Sequence, residues 1–380
     1  MKSLLVLFML ISSASWAQIL NQQTTLTESR FDDTVVFVTD VAMDGDTVVA
    51  VGGDWECKRS TVRVFDQVDG VWKLKHYLHT ENDHARRVAM DGDTVVVETL
   101  KSAYVFTRIG RRWTKQAELT WDFNGNSLSR NSVAIDGDTV VVGFSNSSGQ
   151  EPRYGSAYVF TRTEKTWTKQ ATLTSGAPDD LFGSSVAIDG DTIVVGTKSQ
   201  GSAYVFSRFD GVWTQQAELS VSKDFGYSVA IDGDTIVVGD IEVDPPDPEC
   251  KTGRCISCAA ANSRCGSVYV FTKTGTSWTL QAKLTAADDD FDDLFGTSVA
   301  IDGDTIVVGT RGFPSYEYSS GSAYVFSRSG ETWTKRAKLS PDFVQSHMNW
   351  NVITQVAVAD GIAVTGNRYG AFFFITEGQW

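Results

Sequence analysis

The stretch Val186-Ala187-Ile188-Asp189-Gly190-Asp191-Thr192-Ile193-Val194-Val195-Gly196 recurs, little changed, along the whole chain. Close copies surround Asp44, Asp91, Asp136, Asp232 and Asp302, and a degraded one runs from Val356 to Gly366, which makes seven units. Each joins two apolar runs rich in β-branched residues through a Gly/Asp pair, the pattern of a tight β-hairpin. A chain that repeats one hairpin at a fixed period is a repeat architecture built from strands.

One full unit, Leu181 to Ser220, holds four strands in order. Strand A is Ser185 to Asp189, strand B Thr192 to Val195, strand C Ser202 to Arg208 and strand D Trp213 to Leu219. Strand C returns as Ser102 to Arg108, Ser156 to Arg162, Ser267 to Lys273 and Ser322 to Arg328, around a Tyr-Val-Phe core. Strand D returns behind Trp72, Trp113, Trp167, Trp278, Trp333 and Trp380, so seven of the eleven tryptophans share one repeat position. Aromatics at fixed repeat positions fill the space between stacked sheets, each covering about 150–250 Å².

Four-stranded units of roughly 45 residues point to an all-β, seven-bladed β-propeller, with an open β-solenoid as the competing architecture. The chain ends favour the ring. The last copy reaches Trp380 where its strand D should begin, and Asn21 to Thr27 matches the strand D segment Thr168 to Thr174. An N-terminal strand completing the C-terminal blade removes two exposed sheet edges. A chain of 380 residues would ordinarily divide into two or three domains, but added repeats keep residues 18–380 one domain.

Leu181-Phe182-Gly183, Asp224-Phe225-Gly226 and Leu294-Phe295-Gly296 open strand A, and Val-Val-Gly closes strand B. In this the unit resembles the FG-GAP repeat, the family that includes the propeller heads of integrin α subunits. The second copy has His84-Ala85 and the third Ser129-Arg130 in place of the Phe-Gly pair. The resemblance implies a propeller and an adhesion-type binding role. Integrin-type units often carry a calcium loop between strands A and B, and this chain departs from it. Calcium takes about six to eight oxygen ligands, more than a two-residue turn can wrap around it. Aligned without gaps, Asp360-Gly361 stands opposite Gly190-Asp191, so both pairs are turns and no metal site is expected. No cofactor motif is present either.

Met1 to Ala17 has the apolar run and small-residue end of a secretory signal peptide. No later stretch approaches the ~20 apolar residues of a membrane span. A net charge of −14 disfavours nucleic acid and anionic membrane surfaces. Twelve of the carboxylates behind it sit in the Asp-Gly-Asp turns. In an exported chain Cys250, Cys255, Cys258 and Cys265 read first as two local disulfides pinning a long loop, with zinc as the alternative, and Cys57 is left over. Asn146-Ser147-Ser148 is a glycosylation sequon.

In a propeller the A–B and C–D turns share one face, here called the turn face, and the B–C and D–A connections share the other, the loop face. Length varies mainly on the loop face, which is where a rigid scaffold places recognition. That face also gathers aromatics outside the repeat pattern, and the candidate ligand-binding residues are Trp55, Trp121, Tyr154, Tyr316, Tyr318 and Trp350. The acidic run Asp288 to Asp293 lies on the same side. Catalytic motifs are absent, and His76-x-x-His79 falls on a strand D, where three-residue spacing points the two rings to opposite faces and argues against a metal site. The reading is a secreted, non-catalytic propeller binding an extracellular protein or carbohydrate, the alternative an extracellular enzyme acting on polysaccharide through carboxylates from several blades.

Overall fold

The computed structural model describes residues 24–26, 37–53, 60–69, 71–81, 84–121, 130–145, 155–177, 181–198, 200–241, 266–286, 294–312, 321–339, 352–353, 355–367 and 370–375. Every described element is a strand. Blade 4 shows the plan. Ser185–Asp189, Thr192–Gly196, Ser202–Phe209 and Val212–Ser220 pair antiparallel in chain order, the first lying nearest the axis. Blades 1, 2, 3, 5 and 6 repeat it from inner strands Phe37–Asp44, Arg87–Asp91, Arg130–Asp136, Phe225–Asp232 and Ser298–Asp302.

Six four-stranded blades are built in this way from consecutive strands, which corrects the expected count of seven. Among the described residues the last copy supplies Gln355–Ala359, Ile362–Asn367 and Gly370–Ile375. Its outer place is taken from the far end of the chain by Thr24–Leu26, with Thr24 opposite Phe373 and Leu26 opposite Ala371. The remaining four-stranded sheet is therefore a splice of two distant segments, called here the closing sheet. Its inner strand packs against those of blade 6 and blade 1, so the ring has no open side. A two-stranded ladder of Arg311–Gly312 with Val352–Ile353 adds a tie between blade 6 and the approach to the closing sheet.

Strand B explains its own composition. With a neighbouring sheet against each face, both sets of its alternating side chains are buried, so the sequence is continuously apolar rather than alternating. Val95, Val96 and Val97 are all fully buried, Val95 and Val97 facing blade 1 and Val96 facing blade 3. Strand D, at the rim, alternates exposed and covered residues instead. There Trp167, Trp213 and Trp333 each donate their indole N–H to a glutamine on the preceding blade, Gln116, Gln170 and Gln281, at 2.8–2.9 Å.

The repeated Asp-Gly-Asp-Thr has a task for each residue. The first aspartate accepts the turn N–H of the next sheet: Asp44 from Gly92, Asp91 from Gly137, Asp136 from Gly190, Asp189 from Gly233, Asp232 from Gly303, and Asp302 from Asp360. Glycine at the turn holds a positive φ of 49–53° at Gly45, Gly92, Gly137, Gly190, Gly233 and Gly303, while Asp360 and Gly361 are both positive, as types II′ and I′ require. The second aspartate pairs with the arginine ending its own strand C, at 2.5–2.7 Å for Arg108–Asp93, Arg162–Asp138, Arg208–Asp191 and Arg328–Asp304. Threonine receives the same arginine from the following blade: Thr47 from Arg108, Thr94 from Arg162, Thr139 from Arg208 and Thr235 from Arg328. Each of these guanidiniums also lies 5.0–5.4 Å over its blade's strand D tryptophan. The closing sheet has Ile362 at the threonine position and blade 1 has Gln67 at the arginine position, so both halves of the clamp are replaced at the same junction.

Crowding carboxylates round the turn face has an electrostatic cost. Burial, together with the charges of Asp232, Asp360 and Asp44, raises the Asp302 carboxyl above the ordinary value of 3.8, against the opposing hydrogen bond from the Asp360 N–H. A group whose folded pKa is raised contributes stability that is complete below its unfolded pKa and lost as pH rises through the folded value. Asp302→Asn keeps an oxygen for the Asp360 N–H and removes the charge. We expect it to melt roughly 1–3 °C above the wild type at pH 7, with the difference vanishing near pH 3.5. A lower melting temperature at pH 7 would show that the charge-assisted hydrogen bond outweighs the repulsion.

Candidate binding pocket on the loop face

The inner strands converge on the loop face around a pocket of about 230 Å³. Its lining comes from all six blades and the closing sheet, and one repeat position dominates it, the residue before the conserved valine of strand A. That position is Ser132, Ser185, Ser228 and Ser298 in blades 3 to 6, but Asp40 in blade 1, Arg87 in blade 2 and Gln355 in the closing sheet. These three departures fall on neighbouring sheets.

The serines join blade to blade. Ser132, Ser185 and Ser228 donate to the carbonyls of Gly183, Gly226 and Gly296 in the next blade at 2.7–3.1 Å. Ser298, whose neighbour lacks the Phe-Gly pair, instead accepts the Val356 N–H at 3.2 Å. Asp40 does likewise, accepting the Val88 N–H at 2.8 Å, and its other oxygen faces the Arg87 guanidinium at 3.6 Å. Burial raises the Asp40 carboxyl, with the Arg87 charge and the Val88 and Val41 N–H groups opposing it. The Asp40 side chain is 13 % exposed and that of Arg87 38 %. Across the pocket Lys198, in the B–C connection of blade 4, sets its ammonium 4.0 Å from the centroid of the Tyr227 ring. A second hollow, on the turn face beside Arg162 and Arg208, belongs to the clamps described above.

Among the six aromatic candidates the structure corrects one. Trp121 is 6 % exposed and stacks on Tyr158 at 6.1 Å, so it is core and not ligand surface. The physical reason is a substitution across the repeat. Phe182, Phe225 and Phe295 of the Phe-Gly pairs pack on Tyr204, Tyr269 and Tyr324, the strand C tyrosines of their own blades. Blade 3 has no Phe-Gly pair, and Trp121 covers its tyrosine instead. Trp55, Tyr154, Tyr316, Tyr318 and Trp350 lie outside the described residues, as do Cys57, Cys250, Cys255, Cys258, Cys265, Asn146, residues 1–17 and the run Asp288 to Asp293. Among the described residues no group of histidine, cysteine and acidic side chains is arranged to hold a metal ion. Asp40, Arg87, Lys198, Tyr227 and Gln355 were not among the sequence candidates. The signal for three of them was a break in the repeat, serine giving way to a charged or amide residue in three sheets.

The model of the FG-GAP repeat family matches residues 113–160, 167–206, 213–271 and 278–326. The chain belongs to the FG-GAP repeat family. No curated protein matches this FG-GAP chain in sequence. Among solved structures it is similar to the computationally designed Ika8 protein, at 12% identity and a TM-score of 0.51 over 90% of this chain and 98% of that one. It is also similar to a chain of the mitotic checkpoint complex, at 12% identity and a TM-score of 0.58 over 98% of this chain and 99% of that one. At such identity the likeness concerns the fold alone. Among the described residues no helix is long and apolar enough to cross a membrane.

Proposed function

We propose that this FG-GAP propeller is an extracellular binding protein that takes a protein or glycan ligand on its loop face, without catalysis. The observation that carries the reading is the contrast between the two faces. On the turn face Arg108, Arg162, Arg208 and Arg328 are engaged in clamps with the Asp-Gly-Asp turns, whereas the loop face opens into a pocket where the repeat is broken by Asp40, Arg87 and Gln355. Among the described lining residues Asp40 is the one carboxylate, and it is paired, so these residues assemble no acid–base pair of the kind polysaccharide hydrolysis uses. The fold itself supports a binding-type propeller. Export rests on the signal-like Met1 to Ala17 and on the family resemblance.

An array of extracellular proteins and glycans tests this with two variants. Gln355→Trp fills the pocket mouth, while Phe209→Ser removes a phenylalanine that is 78 % exposed on a C–D turn of the opposite face. We expect the first to abolish array binding and the second to leave it intact. The reverse pattern would move the binding surface to the turn face.

A further inference from the structure

We propose that the rim seam between blades 1 and 2 binds a tetrahedral oxyanion, a sulfate or phosphate group, through Lys73, Lys75 and the indole N–H of Trp113. The site is separate from the loop-face pocket and stands or falls independently of it. It begins with a donor that lacks an acceptor. At three seams the strand D tryptophan gives its indole N–H to Gln116, Gln170 or Gln281 of the preceding blade. Each of these glutamines is the extra residue of a β-bulge, where the register jumps from Ala117 to Lys115, from Ala171 to Lys169 and from Ala282 to Leu280. In blade 1 the register jumps from His76 to Leu74, so the bulge residue offered to Trp113 is Lys75. An ammonium has donors only. The Trp113 indole nitrogen is buried with no hydrogen-bond partner among the described residues, and its ring packs in the cluster that contains Val62, Val64 and Leu78 of blade 1.

Two more departures from the repeat fall on the same strand. Lys73 stands where the other five blades have threonine, and His76 where they have alanine. Those alanines pack toward the following blade, Ala117 with blade 3 and Ala217 with blade 5, so His76 faces blade 2. Trp72 packs the other way, in a cluster with Val364 of the closing sheet, and alternation turns Lys73 toward blade 2. Lys73 and Lys75 are exposed and lie two residues apart on one strand, about 6–7 Å between Cα atoms. Carboxylates near the seam are already engaged. Asp66 and Asp93 meet Arg108 at 3.8 and 2.5 Å, and Glu81 and Glu118 meet Lys115 at 2.7 and 3.5 Å. Lys73 and Lys75 have no ion-pair partner among the described residues. A ligand joining two ammoniums and an indole N–H must be all acceptor, and a tetrahedral group turns oxygens in three directions where a carboxylate has two in one plane. One oxygen takes the place that the glutamine amide holds at the other seams, with the flexible Lys75 stem swinging outward to admit it.

Titration calorimetry on the full chain at low salt, with inorganic sulfate, inorganic phosphate and acetate as separate probes, tests the proposal. We expect sulfate or phosphate to bind at least about tenfold more tightly than acetate. Either preference supports the site, and the tighter of the two shows which ester a larger ligand would carry. The Trp113 indole N–H resonance, assigned by its loss in Trp113→Phe, should shift as the anion is added. Lys75→Gln supplies the acceptor present at the other seams, and Lys73→Thr the residue of the other blades. Each should melt at or above the wild-type temperature while weakening anion binding about tenfold or more. Lys75→Met, which removes the ammonium without offering an acceptor, should weaken binding as well. Lys165→Gln, at an exposed lysine on the C–D turn of blade 3, should leave it unchanged. Acetate binding as tightly as the tetrahedral anions, undiminished binding in both Lys75 variants, an equal loss in Lys165→Gln, or no saturable binding at all would overturn the inference.

Discussion

Phe225→Ala is expected to lower the unfolding free energy by about 3–5 kcal/mol, read from the urea midpoint and the melting temperature. Phe225 is fully buried, and its ring meets Tyr269 at 5.8 Å and Phe271 at 6.0 Å, both edge-on. Truncation leaves a void under two aromatic rings whose own positions are set by strand C pairing, so the site cannot collapse to fill it. The loss should exceed that from removing any single Arg–Asp clamp, because those pairs are partly exposed and exposed ion pairs contribute little. Phe182 and Phe295 occupy the same place in blades 4 and 6 and should behave alike. A change under about 1 kcal/mol at Phe225 would mean that the phenylalanine of the Phe-Gly pair is not a packing residue.

Much of the fold was legible because repetition averages out local ambiguity. A single Val-Ala-Ile-Asp-Gly-Asp could be a calcium loop or a hairpin. The degraded copy at Asp360-Gly361 placed the turn, and the structure puts the strand ends at Asp189 and Thr192 as that alignment requires. Blade number was less secure, since a repeat count is not a count of blades built from consecutive strands. The described residues of the last copy form three strands, and long-range pairing of Thr24–Leu26 with Gly370–Ile375 completes their sheet. Contacts of that span have no local signature.

The candidate site was harder to read for a different reason. An aromatic between repeats looks exposed from the sequence, but it can also replace a missing core residue, as Trp121 does on Tyr158. The informative residues lay within the repeat, at a position whose usual serine is a structural joint. Asp40 and Arg87 stand out only once Ser185 and Ser228 are seen to donate to the next blade's backbone. Before that, one serine more or fewer on a strand carries no meaning. Lys198 and Tyr227 come together across a loop and a neighbouring blade, which no spacing along the chain foretells.

The second large effect concerns the glycine that ends strand B. A methyl group on Gly239 would stand 2.1 Å from the Gly296 carbonyl oxygen and 2.3 Å from the Ser228 hydroxyl oxygen, the first being backbone of the next blade. Neither atom can retreat alone, because the Ser228 hydroxyl donates to that same carbonyl at 2.7 Å. Gly239→Ala must therefore separate blade 5 from blade 6, and a closed ring cannot widen one junction without straining the others. Overpacking of this kind costs about 1–3 kcal/mol and more where backbone must move, so we expect a loss at the upper end of that range in urea unfolding. The chain contains its own control. Blade 2 carries a fully buried Glu98 at the equivalent position, facing a blade whose Phe-Gly pair is replaced by Ser129-Arg130. A side chain is thus accepted at the end of strand B where the opposing glycine is missing, and it is the Gly239–Gly296 approach, not any demand of strand B itself, that excludes one. If Gly239→Ala folds with wild-type stability, the blades do not meet as closely as these distances require.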